Sequence, residues 1–340
     1  MTPATDTPAA PSAASAVAAA SAPGASPAVL ARDLSHHYRE IAAVDGVTLD
    51  VQRGEVFGLV GPDGAGKSTL IRMIATVLLP DRGDCEVFGA SVSANPQDVK
   101  PHIGYMSQRF SLYRDLTVRE NVDFFAKLRG VPRSLRSERA EKALHFAGLG
   151  EFQSRRSEFL SGGMKQKLAL AVTLMHEPDL LLLDEPTTGV DPVSRREFWR
   201  IIADLHRRGI TVFVATPYMD EAERCTRVAF MDGGKVLLCD TPAAIKASVP
   251  GHLFELQASD QRAAIPVLRE IEGVSAVMVF GEALRVLVAE GGPDVDTLVA
   301  RLRAREITVA HAGDARMDME TAFSFLVESE RAKSRAGDAS

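Results

Sequence analysis

The residues Gly61-Pro62-Asp63-Gly64-Ala65-Gly66-Lys67-Ser68 satisfy the pattern G-x-x-x-x-G-K-[ST] at every fixed position. A loop of this kind turns its backbone N–H groups inward and opens a helix, whose positive dipole end favours anions. The chemistry it serves is the cradling of a polyphosphate. Lys67 has the reach to meet β- and γ-phosphates, and the Ser68 hydroxyl suits Mg²⁺. The flanking sequence agrees. Val56 to Val60 reads as a buried strand, and Ser68 to Leu79 as a helix rich in Leu, Ile and Met.

Two further groups carry chemistry. Leu180-Leu181-Leu182-Leu183-Asp184-Glu185 brings two acids to the end of an apolar strand. Ligands of open α/β sheets gather at the carboxyl ends of strands. Asp184 can therefore coordinate Mg²⁺ through water, and Glu185 can polarise an attacking water. In Leu160-Ser161-Gly162-Gly163-Met164-Lys165-Gln166, Ser161 is a good N-cap and Gly162-Gly163 leaves N–H groups free at a helix start. Two anion sites in one chain make sense if each serves a different subunit's nucleotide.

The elements that must position these groups alternate between strand and helix periods, which points to α/β architecture. Val29 to Leu34 and Val47 to Val51 read as strands ahead of the loop. Asp81 to Asp84 reads as a turn, and Cys85 to Phe88 and Ile103 to Ser107 as short strands. Over about 110–177 three helical patterns follow one another: Thr117 to Leu128, Ser137 to Ala147 and Gly162 to His176. This predicts a helical subdomain inserted into the α/β domain, its first helix opened by a Thr117/Glu120 capping box. An amphipathic helix (Val193 to Arg208), a strand (Ile210 to Thr216) and a hairpin around Asp232-Gly233-Gly234 come after the acids. Ser248-Val249-Pro250-Gly251 marks a boundary, which sets this domain at 29–247. Residues 252–330 read β-α-β-β-α-β, the order of a small ferredoxin-like α+β domain. Residues 1–28 read as a disordered Ala/Pro/Ser arm, and 331–340 as a disordered tail.

Composition narrows the function. A formal net charge of −6 argues against a whole-protein preference for nucleic acid. No apolar run reaches the ~20 residues that cross a bilayer, so spanning helices would have to come from another chain. Cys85, Cys225 and Cys239 form no C-x-x-C pair and do not make a disulfide framework.

The phosphate loop, L-S-G-G-M-K-Q and L-L-L-L-D-E-P-T-T-G-V-D-P, in this order, resemble the ATPase subunit of an ABC transporter over roughly residues 29–245. The stretches Gly104 to Gln108 and Tyr218 to Glu223 are similar to those of multidrug and polyketide exporters whose membrane subunit is a separate chain. The resemblance implies a P-loop NTPase fold, ATP and Mg²⁺ as ligands, and a peripheral place at the cytoplasmic face of the membrane. Its implied partners are an integral membrane permease and a second ABC ATPase domain, in a homodimer or a heterodimer. It assigns Tyr38 to the adenine, and Gly61 through Ser68 with Thr69 to the phosphates. Ser68, Asp184 and Gln108 fall to the metal, with Gln108 also linking it to the membrane subunit. Glu185 falls to catalysis. Ser161, Gly162, Gly163 and Gln166 face the partner's nucleotide, and Asp191 couples the two sites. The segment Arg109 to Asn121 is expected to dock a cytoplasmic helix of the permease.

The chain departs from the family at one chemical position. A histidine normally follows the strand after the D-E-P segment; here the context is Val214-Ala215-Thr216-Pro217-Tyr218. Proline has neither a side-chain donor nor a backbone N–H, so it cannot steady the γ-phosphate or the water. Asp63 is a milder departure, since Asn is commoner there. Pro217 implies strong ATP binding with weakened hydrolysis at the chain's own site. It also keeps open a regulatory subunit that binds ATP without hydrolysing it, and a soluble ABC ATPase acting on a ribosome is a further alternative.

Overall fold

Val56–Val60, Leu180–Asp184 and Thr211–Thr216 are buried at every position. Such runs have no polar face and belong inside a sheet covered on both sides. The computed structural model, which describes residues 26–109 and 112–327, puts them at the centre of a six-stranded sheet. Residues 1–25 of the arm expected over 1–28, Phe110, Ser111, residues 328–330 of the domain expected over 252–330, and the tail expected over 331–340 lie outside the described residues.

In chain order the strands of the first compact unit are β1 (Val29–Tyr38), β2 (Ile41–Val51), β3 (Val56–Val60), β4 (Arg82–Val87), β5 (Ala90–Ser91), β6 (Ile103–Met106), β7 (Leu180–Asp184), β8 (Thr211–Thr216), β9 (Arg227–Asp232) and β10 (Lys235–Asp240). Its helices are α1 (Lys67–Ile74), α2 (Pro96–Val99), α3 (Val118–Leu128), α4 (Arg133–Phe146), α5 (Gly162–Thr173), α6 (Pro192–Arg207) and α7 (Met219–Ala222). The central sheet runs β10-β9-β3-β8-β7-β6, parallel from β9 to β6. Its register sets Val60 beside Thr216, Asp184 beside Ala215, and Leu183 beside Met106. The connections leaving β3, β6, β7 and β8 therefore start at one edge. An antiparallel sheet, β2-β1-β4-β5, forms the second layer. Leu70, Ile71, Met73 and Ile74 of α1 share a single core with Leu182 and Phe213 of the central sheet and Val29 and Leu49 of the second. That packing holds the start of α1 in place. Helices α3, α4 and α5 bury a core of their own, including Val122, Leu144, Leu168 and Met175, and the Thr117/Glu120 capping box forms.

Several expectations are corrected here. β1 and β2 extend to a tight hairpin at Arg39, whose φ of 59° turns the chain; His36 and His37 mask the strand period. Helix α1 stops at Ile74, because Thr76 takes a φ of 59° and Val77 and Leu79 face solvent. Arg82 to Asp84 is not a turn but the start of β4, paired with β1. The chain is ordered before Val29: Ala28 N–H donates to the Val51 carbonyl (2.8 Å), and Arg53 Nε to that of Ser26 (2.9 Å).

The compact units divide between Cys239 and Asp240, ahead of the boundary expected at 248–251. The helix α8 (Pro242–Ala247), capped by Thr241, thus falls with the second unit. That unit continues with β11 (His252–Ala258), α9 (Gln261–Arg269), β12 (Val274–Phe280), β13 (Ala283–Val288), α10 (Val295–Arg303) and β14 (Val309–Asp314). Its antiparallel order, β12-β13-β11-β14, is that of a ferredoxin-like sandwich. Leu268, Leu298 and Leu302 of its helices pack on Leu256, Leu284 and Val286 of the sheet. On β13 the buried Arg285 pairs with Asp318 (2.7 Å), just before a helix over 319–327.

Because Leu182 is fully buried, Leu182→Ala is expected to cost about 2–5 kcal/mol in equilibrium urea unfolding. The exposed Leu79→Ala should stay within about 0.5 kcal/mol of the native protein. Equal effects would contradict the layering.

Candidate active site

β3 delivers the chain to Gly61, and α1 begins at Lys67. Space dictates two of the glycines. A Cβ at Gly61 would lie 2.0 Å from the Met231 carbonyl oxygen, and one at Gly66 would lie 2.0 Å from that of Ala43. Gly66 also has a φ of 104° and puts no side-chain cap on α1. The first N–H groups of that helix are left for an anion. Pro62, Asp63 and Gly64 are exposed; Ala65 and Thr69 are buried beneath them.

Lys67 is buried, and its Nζ donates to the carbonyls of Gly61 (2.7 Å) and Pro62 (2.9 Å). It lies 3.9 Å from Glu185 Oε1. Burial pulls its pKa down, against the pull of Glu185, Asp63 and Asp184. Ser68 Oγ donates to Asp184 Oδ1 at 2.8 Å. Asp184 is fully buried, and its Oδ2 has no hydrogen-bond partner. Burial pushes the Asp184 carboxyl above its usual range, opposed by the Ser68 hydrogen bond. Glu185 is buried too; its Oε2 accepts from Gln108 Nε2 (2.8 Å) and Thr188 Oγ1 (3.2 Å). Its φ of 50° is left-handed, a conformation worth about 1–3 kcal/mol of strain in a non-glycine residue.

The acid with an unfilled oxygen and the adjacent hydroxyl fit a small divalent cation. Among the described residues no cluster of three acidic, His or Cys side chains could cage a metal alone. Mg²⁺ fits that arrangement, since it is usually held by one or two protein oxygens, with water and phosphate completing the shell.

The remaining predicted residues lie elsewhere on the first unit. Tyr38 is 45% exposed and edge-on to His36. Ser161 caps α5 by accepting from Met164 N–H (3.3 Å). A Cβ at Gly163 would lie 2.4 Å from Ser194 Cβ, so this glycine permits close contact with α6. Asp191 caps α6, accepting from Val193 N–H (3.0 Å) and Ser194 N–H (2.9 Å). Hydrogen bonding from Ser194, through its side chain and then its backbone, with a smaller part from Val193 N–H, holds its carboxyl below the usual range. Ser161, Gly162 and Asp191 are exposed and their hydrogen bonds are local. Gln166 and Gln108 line a cavity of about 430 Å³, together with Arg109, Leu112 and Arg114. Pro217 is half-buried where β8 ends.

Sequence reasoning missed Thr188, which donates to Glu185. The hydroxyls of Thr187-Thr188, so close after two acids, were the available signal.

Asp184 gives a pH prediction. Its native pKa is raised, so the native state gains stability below the ordinary value of 3.8 and loses it as pH rises through the native pKa. In nucleotide-free protein Asp184→Asn should therefore be the more stable form at pH 7 in urea unfolding, with the difference shrinking as pH falls. A less stable variant at pH 7 would contradict the burial argument.

The profile of the family described as ABC transporter matches residues 44–188. "Probable multidrug ABC transporter ATP-binding protein YbhF" of Escherichia coli (strain K12) is 44% identical over 217 residues, 64% of this chain and 38% of that protein. The chain thus spans well under half the length of the first curated relatives it matches. "Daunorubicin/doxorubicin resistance ATP-binding protein DrrA" of Streptomyces peucetius is 41% identical over 224 residues, 66% of this chain and 68% of that protein. Among solved structures, a dimeric ATP-binding cassette in a post-hydrolysis state, bound to ADP and Pi, is similar with a TM-score of 0.57 at 26% identity. That match covers 63% of this chain and 98% of the cassette. On its fold, its motif geometry and these relatives, the chain belongs to the family of ABC transporter ATP-binding proteins.

Proposed function

We propose that this chain hydrolyses ATP to drive an exporter whose membrane-spanning part is a separate permease, and that it works as a peripheral subunit on the cytoplasmic face. The observation that carries this is the meeting of Lys67, Ser68, Asp184, Glu185 and Gln108 at one edge of the central sheet. The N–H groups opening α1 bind the phosphates, and Lys67 exchanges its two loop carbonyls for phosphate oxygens. Ser68 and Asp184 hold Mg²⁺, which when bound neutralises charge on those oxygens. Glu185, fixed by Gln108 and Thr188, takes the proton of the attacking water. Tyr38 stacks on the adenine.

Two such domains close over two nucleotides. Ser161, Gly162, Gly163 and Gln166 of one domain meet the nucleotide on the other's loop, and Asp191 links the sites. The exposure of Ser161, Gly162 and Asp191 and the dimeric state of the solved cassette support this clamp. No helix among the described residues is long and apolar enough to cross a membrane. The segment Arg109 to Asn121 docks a cytoplasmic helix of the permease, and Gln108 beside it carries that contact to Glu185. The names of YbhF and DrrA favour a drug or small hydrophobic solute as cargo. They also favour a transporter over an ATPase acting on ribosomes.

Pro217 gives this site slow turnover, since one donor to the reacting centre is missing. Losing a comparable donor costs on the order of 10²–10³ in rate. Steady-state ATPase of Pro217→His should exceed that of the native chain by roughly that factor. A native chain already turning over at ~1–10 s⁻¹, or a histidine variant that gains nothing, would defeat the claim.

A further inference from the structure

Glu221 of α7 is fully buried and takes no part in the site described above. One carboxylate oxygen accepts from Thr187 Oγ1 at 2.5 Å, the other from Thr216 Oγ1 at 2.7 Å. Arg195 Nε lies 3.7 Å from the first oxygen, and its guanidinium carbon sits 4.1 Å from the centre of the Tyr218 ring. The Thr216 hydroxyl also accepts from Tyr218 N–H at 3.1 Å. A single acid thus joins the end of β8, the loop leaving β7, and α6.

A buried carboxylate is costly, and apolar packing would serve stability at least as well. Its placement points to a different use. Thr187 stands between Glu185 and Asp191, in the middle of the loop that carries both. Downstream of Glu185 N–H, two backbone bonds of the loop are local. Thr188 N–H donates to the Glu185 carbonyl (3.3 Å), and Val190 N–H to that of Thr187 (3.1 Å). Glu185 itself is strained, and a strained residue persists only where its surroundings over-determine it. The other end of the clamp is Thr216, the residue before Pro217. Glu185 N–H also reaches across to the Ala215 carbonyl (2.9 Å), so β8 and the loop are joined twice, once through backbone and once through Glu221.

We propose that Glu221 is a positioning residue for ATP hydrolysis: acting through Thr187, it fixes the 185–191 loop so that the Glu185 carboxylate stays aimed at the attacking water. It touches neither nucleotide nor water. The proposal rests on the role given to Glu185 above.

The test is single-turnover ATP hydrolysis by the full-length chain in excess over nucleotide, so that slow rates are measurable, alongside ATP affinity from direct binding. Thr187→Val removes one donor at nearly constant volume. Its maximal rate should fall roughly 10–100-fold, the scale of a small misplacement of a reacting group, while ATP affinity stays within about twofold. Thr187→Ser keeps the hydroxyl and should keep the rate within about twofold. Glu221→Gln puts an amide donor where one acceptor stood, so it cannot accept from both threonines as the carboxylate does, and should behave as Thr187→Val does. A folded Thr187→Val at native rate, or one that loses affinity in step with rate, overturns the proposal. If one of the two disruptive variants does not fold, the other decides on the same criteria; if neither folds, Glu221 is structural and the proposal falls. Glu185→Gln in the same assay separates the two claims. A near-native rate there refutes the role of Glu185 itself. Loss there with a native rate in Thr187→Val refutes Glu221 alone.

Discussion

One lysine and two carboxylates are buried together at the edge of an apolar sheet, and most of the site follows from that. Lys67 sits among Gly61, Pro62 and Glu185, while Asp184 keeps an unfilled oxygen beside Ser68. For two of these charges burial is costly: it lowers the pKa of Lys67 and raises that of Asp184. The groups are incompletely paired with each other. A polyphosphate with its cation would supply both missing partners, negative oxygens for Lys67 and a positive ion for Asp184. Stability held back in the protein would then become affinity for the ligand.

The scaffold makes this arrangement possible by register. Parallel strands leave their C-terminal ends in line, so Val60, Asp184, Met106 and Thr216 bring four connections to one edge. The shared core of α1 with both sheets fixes the helix that the phosphate loop leads into. Glycine at 61 and 66 lets the backbone approach Met231 and Ala43 more closely than any side chain would allow. The groups assigned to a partner, Ser161, Gly162 and Asp191, are instead held at the exposed N-termini of α5 and α6, each fixed by a cap.

What could be read from the sequence was what obeys local rules. The loop glycines, the two acids ending a pure apolar run and the Ser161 cap each announce themselves within a few residues. The β-α-β-β-α-β order of the second unit was legible because its periods alternate cleanly. Contacts that depend on distant pairing were not. The Thr187–Glu221–Thr216 clamp joins residues of two loops whose neighbourhood is set by strand order, and no spacing rule encodes it. The extended β1–β2 hairpin was hidden by histidines in strand positions, and α1 ended early because Thr76 adopts a conformation that propensity does not foresee. The unit boundary at Cys239 fell before the Pro-Gly signal, because a capped helix intervenes.

The central claim is that Lys67 and the loop around it grip the phosphates of a nucleotide. Isothermal titration calorimetry of the full-length chain with Mg-ATP tests it most directly. The native protein should bind, and Lys67→Ala should bind about 10–100-fold more weakly, as the loss of charge-assisted hydrogen bonds requires. A well-folded native chain that takes up no Mg-ATP, or a Lys67→Ala variant that binds as tightly, would contradict the account.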